Sequence, residues 1–256
     1  MDFTLIKYKE LLYCLKKQNY NFQTYRDFLT NPKEKSIVLR HDVDLLPENS
    51  MEFALIQSEL EIEGSYYFRI VPESWNEEII KNISKLGHEV GYHYETMDTS
   101  KGNINLAYNE FTLNLNKLRE LVDVKTICMH GSPKSKFDNK EIWKNNSYKK
   151  LGLIGEPYYD TDFDEVFYLT DTGRCWDGMK MSIRDKVPQQ EKWNKEGLMF
   201  HSTDDVISKI NSGDFPKKVM FTFHPQRWHN NKYLWLKEFV LQNTKNQVKK
   251  IILKYK

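Results

Sequence analysis

Ile37-Val-Leu-Arg-His-Asp-Val-Asp44 is a short apolar run that closes on two acids, and four further runs close on a histidine. These are Glu89-Val-Gly-Tyr-His93, Lys125-Thr-Ile-Cys-Met-His130, Leu198-Met-Phe-His201 and Lys218-Val-Met-Phe-Thr-Phe-His224. Each reads as a buried strand, and most are followed by a helical stretch. In a parallel sheet or barrel all strand C-termini open on one face. Five runs then deliver carboxylates and imidazoles to a single mouth, where α/β barrels build active sites. Aspartate and histidine are common metal ligands and proton carriers. The pattern predicts a metal-assisted enzyme.

Outward from that run, residues 4 to 20 set Leu5, Tyr8, Leu12 and Leu15 at helical spacing, an amphipathic helix expected to cover one barrel end. Helices are expected at about 49–61, 76–86, 105–121 and 204–211, and strands at 36–42, 65–71, 89–93, 125–130, 165–170, 198–201 and 218–224. Strand and helix alternate through short loops, the signature of a parallel sheet. Ser202-Thr-Asp-Asp205 reads as a helix N-cap. Between about 134 and 197 the rhythm breaks into an irregular, aromatic-rich stretch with a single strand signal. A stretch this long within a compact domain is more often functional than idle, and we expect it to wall or lid the substrate cleft. One domain over 1–256 is expected: N-terminal helices in 1–30, a core over 36–225 with the insertion, and a C-terminal helix over 230–256.

With 256 residues the chain can bury a sizeable core. Its 38 basic and 36 acidic residues balance to a formal +2, which argues against nucleic acid as partner. Lysines crowd the last dozen residues (Lys245, Lys249, Lys250, Lys254, Lys256) and read as a solvated helix end that suits the helix dipole. Cys14, Cys128 and Cys175 form no metal or disulfide framework, which points to a reducing compartment. The charged N-terminal stretch lacks a signal-peptide core, and no apolar run has membrane length, so a cytoplasmic protein without membrane insertion is expected. The sequence carries no signal for an oligomeric state.

Side chains alternate along a strand, so Arg40, Asp42 and Asp44 share one side, and His41 and Val43 the other. Two acids on one face can divide labour, one binding a metal and one taking a proton. Equally, Asp44 can cap the next helix and one acid can pair with Arg40. His93 and Glu95 share a face, and His130 follows Cys128. His88 sits at the opposite strand end and is expected to be structural, and His41 and His229 structural or peripheral.

His-Asp-Val-Asp44, Gly-His-Glu-Val-Gly-Tyr-His93, Met-His-Gly-Ser-Pro133 and Phe-His-Pro225 together resemble the polysaccharide deacetylase family, carbohydrate esterase family four, in the family's motif order over roughly 36–225. The motifs are most similar to its cytoplasmic, uncharacterised branch. The resemblance implies a distorted (β/α) barrel of about seven parallel strands that removes acyl groups from N-acylated sugars, usually with zinc (Zn2+). It assigns Asp42 as catalytic base, Asp44 and His93 as metal ligands and His224 as general acid. Two positions depart from the pattern. Met97 stands where the second metal histidine falls, and His130 stands in the third motif. His130 is therefore expected as the third ligand, with Glu95 in reserve. Arg174 is a candidate to pair with Asp42 and hold it ionised, against the plainer reading of a surface salt bridge. Substrate contacts are expected from Glu95, Tyr158, Trp176, His201 and Arg227, and Trp193 and Tyr159 are further aromatics that can stack on a sugar. The expected substrate is an N-acyl sugar or surface-polysaccharide precursor. A small non-sugar amide, or a metal-free pseudoenzyme binding a glycan or partner, are the alternatives.

Overall fold

The computed structural model describes residues 1–132, 135–176 and 187–254, and of 249–254 the backbone alone. Expectations that fall on Pro133, on 177–186 of the insertion and on Lys256 lie outside the described residues. The elements in chain order are α1 (Leu5–Lys17), β1 (Asn21–Gln23), α2 (Tyr25–Thr30), β2 (Ser36–Val43), α3 (Pro47–Glu59), β3 (Ser65–Phe68), α4 (Glu77–Lys85), β4 (Glu89–Tyr94), α5 (Thr96–Thr99), α6 (Ile104–Arg119) and β5 (Ile127–Met129). After two 3-10 turns come α7 (Pro157–Asp160), β6 (Phe167–Thr170), α8 (Gln190–Lys195), α9 (Thr203–Asn211), β7 (Lys218–Phe223) and α10 (Lys232–Lys254).

Local chemistry sets the helix starts. The Thr4, Asn76 and Asn103 side chains each accept a backbone N–H of the following turn, and Ser202 with Asp205 closes a reciprocal capping box. Pro47 sits in the first turn of α3, where its missing N–H costs nothing.

All strand pairs are parallel, in the order β5-β4-β3-β2-β7-β6. β1 pairs with the first half of β2, on the edge that β3 takes over for the second half. The sheet curls, and the gap between its edge strands β5 and β6 is spanned by 153–158. There Thr126 bridges Gly155, Ile154 donates to the Lys125 carbonyl at 2.8 Å, and the Tyr158 hydroxyl lies 3.5 Å from that of Tyr168 on β6. The result is a seven-stranded distorted (β/α) barrel. Its outer face is apolar and aromatic: His41 stacks on Tyr66 and Phe223, under Tyr8 of α1 and Phe53 of α3. Its inner face is polar and carries Arg40, Asp42, Glu89 and His93, all buried. Gly91 permits this interior, because a Cβ there would stand 2.4 Å from the Tyr67 ring.

Three expectations are corrected. Among the described residues the count of seven strands holds, but β1 belongs to it and Leu198–His201 does not. That run links α8 to α9: Leu198 donates back to the Trp193 carbonyl at 2.9 Å, and Phe200 is buried against Phe167 and Phe215. Five site-bearing strand ends thus become four. α1 covers no barrel end; it lies on the outer face of β2 and β7.

Candidate active site

Asp44 stands just past the end of β2 and gathers three histidines. Its Oδ1 lies 3.5 Å from His93 Nε2 and 3.5 Å from His130 Nε2, and its Oδ2 lies 3.9 Å from His224 Nε2. Gln226 donates to Oδ2 at 3.1 Å, whereas Oδ1 is buried with no hydrogen-bond partner. The Asp44 main chain is pinned by Arg69, which donates to its carbonyl at 2.9 Å.

The two nearer imidazoles are aimed by the protein. His93 Nδ1 lies 3.0 Å from the Cys128 carbonyl, which can only accept, so Nδ1 is the donor and Nε2 is the ring atom turned to Asp44. His130 Nδ1 lies 2.8 Å from Glu95 Oε2, and Arg69 holds Glu95 through contacts of 2.9 to 3.1 Å. Three acceptors therefore face one another, and the ligand atoms of Asp44, His93 and His130 all lie within 4.8 Å. Only a cation or added protons reconcile them. Burial opposes both charges, yet the histidines hold the Asp44 carboxyl well below the usual range, and Glu95 with Asp44 raises His130. One carboxylate and two imidazoles, each imidazole oriented from behind, suit zinc. The residues fit a metal ion, with Asp44, His93 and His130 as the ones that would hold it.

Beneath them, Asp42 makes a bidentate ion pair with Arg40 at 2.8 and 2.6 Å, both side chains nearly inaccessible. Burial alone would raise the Asp42 carboxyl, but Arg40 and His93 hold it down at about 2. His93 Nε2 lies 3.8 Å from Asp42, and Cys128 completes a second close group with these two. On the far side, His224 Nδ1 meets Asp171 at 2.5 Å, and Asp171 also accepts from Arg227 at 3.1 Å and from the Trp228 indole at 2.7 Å. Burial and Arg227 lower the His224 imidazole, but Asp171 and Asp44 outweigh them and raise it.

The structure therefore brings together Asp42, Asp44, His93, His130 and His224, with Glu95 behind His130 and Arg227 behind Asp171. Tyr158 lies deeper, its hydroxyl 3.2 Å from Arg40. Three expected residues lie elsewhere. Arg174 does not reach Asp42; its guanidinium rests over Phe3, Trp235 and Phe239, and Arg40, one turn of the pleat away on the same strand, takes the pairing. Trp176 is buried on the outer face against Phe221, Phe223 and Trp228, its indole N–H donating to Thr203, because a large ring finds more apolar contact there. His201 is exposed beside the capping box of α9, its N–H donating to Asp205. Trp193 is likewise buried, against Phe167. Asp171 and Arg69 were not anticipated. Asp171 had the same signal as Asp44, an acid closing the apolar run Phe167-Tyr-Leu-Thr.

No family model and no curated protein matches the sequence. In fold, the chain is similar to solved structures. The similarity is to carbohydrate esterase family four. One is a family-four pseudoenzyme from Bacillus anthracis (14% identity over 86% of this chain and 63% of that chain, TM-score 0.42). Another is a family-four esterase from Streptococcus mutans (13%, 85% and 82%, TM-score 0.45). A third is PdaA of Bacillus subtilis, also of family four (13%, 92% and 83%, TM-score 0.40). The chain spans somewhat less than two thirds of the length of the pseudoenzyme.

Proposed function

We propose that the chain is a metal-dependent hydrolase that removes an acyl group, such as acetyl, from an N-acylated sugar. The observation that carries this is Asp44 Oδ1, buried without a hydrogen-bond partner and faced by the Nε2 atoms of His93 and His130. A bound divalent ion would polarise the acyl carbonyl and make its water more acidic. The rest falls to the chain's own residues. Asp42, kept ionised by Arg40, takes the proton of the attacking water. That pairing makes it a weaker base than a free carboxylate, so its position supplies what its basicity does not. His224 holds a proton at Nε2, supported from behind by Asp171, and passes it to the departing amine. Arg227 fixes Asp171 and thereby the angle of that imidazole.

An N-acyl sugar and a small non-sugar amide present the same scissile bond, so the sugar is the part of the proposal that rests on motif resemblance. The test is elemental analysis of the purified chain, together with acetate release from N-acetylated oligosaccharides, nucleotide sugars and simple N-acetyl amides. Stoichiometric zinc and release from a sugar support the reading. A chain that takes up no divalent ion is the pseudoenzyme instead.

A further inference from the structure

The long final helix turns a mixed face inward and leaves many apolar side chains exposed. α10 seats Gln242 and Asn246 against the body, with Asn246 donating to the Gly173 carbonyl at 2.8 Å and Gln242 donating to Asn246 at 2.8 Å. Trp235 and Phe239 on the same side stack together and cover Arg174, which donates to the Trp235 carbonyl. At 3.6 residues per turn the opposite side is Tyr233, Leu236, Val240, Leu241 and Val248, with Lys237 and Thr244 set among them. The first five are exposed by 73, 54, 54, 45 and 51%. A helix of a globular domain ordinarily shows the reverse arrangement.

Charge decides what can cover this face. Between Lys232 and Lys254 the helix carries six lysines against one acid, Glu238. A second copy would bring two such arrays together, and like charges across an interface oppose association. An anionic surface would attract them, and long lysine stems can lie along apolar surface with their ammonium groups outward. We propose that α10 docks in the plane of an anionic lipid surface, its exposed apolar residues in the headgroup boundary and Lys237 and Lys245 against the phosphates. Among the described residues no helix is long and apolar enough to cross a membrane, so the proposal concerns the surface of a bilayer and not a span. The loop that anchors α10, through Gly173 and Arg174, begins at Asp171. The inference stands on this helix alone and does not depend on the hydrolase reading.

The full chain should co-sediment with phosphatidylcholine vesicles containing phosphatidylglycerol at about one lipid in four, and at least about tenfold less with phosphatidylcholine alone. Salt at about 0.5 M should weaken the binding several-fold. The double substitution Leu236→Ser with Val240→Ser alters only exposed side chains, so its melting curve should match the parent while partition falls at least about tenfold. Lys237→Glu with Lys245→Glu should do the same. Failure of the parent to bind the anionic vesicles at low salt overturns the proposal, as does unchanged binding by the serine variant. If the chain ignores vesicles and forms a dimer that the serine variant dissociates, the face belongs to a second copy and the proposal is wrong.

Discussion

Histidines at the barrel mouth and histidines in the outer layer are differently partnered, although His93 at the mouth is as buried as His41 and His88 outside. His41 has both ring nitrogens occupied: Nδ1 donates to the Ser65 carbonyl, and Nε2 accepts from Gln57 at 2.9 Å. His88 accepts from the Gly64 N–H at Nδ1 and donates to the Ala54 carbonyl from Nε2. At the mouth, His93 and His130 satisfy only Nδ1, and each turns Nε2 towards a carboxylate oxygen that has no donor of its own. Burial alone therefore does not mark a functional imidazole. A ring whose second nitrogen faces only acceptors does, because such a site is unfavourable until a cation or an added proton fills it.

The largest expected effect tests that distinction directly. His93→Ala should abolish stoichiometric binding of zinc or a similar ion, whereas His88→Ala should keep it. Full metal content in the His93 variant would erase the contrast between the two layers. His130→Ala and Glu95→Ala then separate ligand from support. Loss of a ligand weakens affinity by orders of magnitude, and loss of an orienting partner by about 10- to 100-fold. If Glu95→Ala proves the more damaging, Glu95 is the ligand and His130 its neighbour.

Asp42→Asn comes next and concerns turnover. It should lower kcat by at least about a hundredfold while metal content stays intact. Asp42 is also half of a buried ion pair, and breaking such a pair by removing one charge costs about 3 to 5 kcal/mol. Arg40→Met separates the two roles. It removes the pair from the other side and raises the Asp42 pKa from about 2, so a base role predicts a shift of the acidic limb of the pH profile. A purely structural Asp42 predicts lower melting temperatures for both variants and no shift of that limb.

A subtler contrast concerns orientation. Arg69→Met removes the group that holds Glu95 and pins the Asp44 carbonyl. It should weaken metal affinity by about tenfold without changing the number of ions bound, since all three ligands remain. Unchanged affinity in a metal titration would show that the support behind His130 is redundant.

The motifs carried the inner face of the barrel well, because strand alternation and strand ends are periodic and local. Asp42, Asp44, His93, His130 and His224 each close an apolar run, and a parallel sheet brings such ends to one side whatever the loops do. What sequence spacing does not carry is the partner of each side chain. Arg174 and Arg40 are both plausible neighbours of Asp42 by composition, and only the curl of the sheet decides between them. Trp176 follows the same rule from the other side: an aromatic in a loop goes where apolar surface is available, and the outer layer offered more of it than the mouth. β1 was missed because three residues, Asn21-Phe-Gln23, are too few to show a period.

The smallest expected effect lies in the outer layer. His41 is buried among aromatic rings, and burial pushes its imidazole down to about 3, opposed by the Ser65 carbonyl. Protonation would also set a new N–H against the Gln57 amide that Nε2 now accepts from. In the unfolded chain the same ring takes a proton near 6.5. The folded-state pKa is depressed, so the stability that neutral His41 confers is whole above about pH 6.5. It is lost as pH falls towards 3, at up to about 1.4 kcal/mol per pH unit. His41→Gln should cost about 1 to 3 kcal/mol at pH 7, through hydrogen bonds left unmade, and should leave metal content unchanged. Because the variant lacks the titrating ring, its deficit should narrow by about 2 kcal/mol between pH 6.5 and 5. Denaturant melts of both chains across that window measure this. A deficit that stays constant with pH would mean His41 is accessible enough to be protonated in the folded state, and the outer layer would then be less sealed than its packing implies.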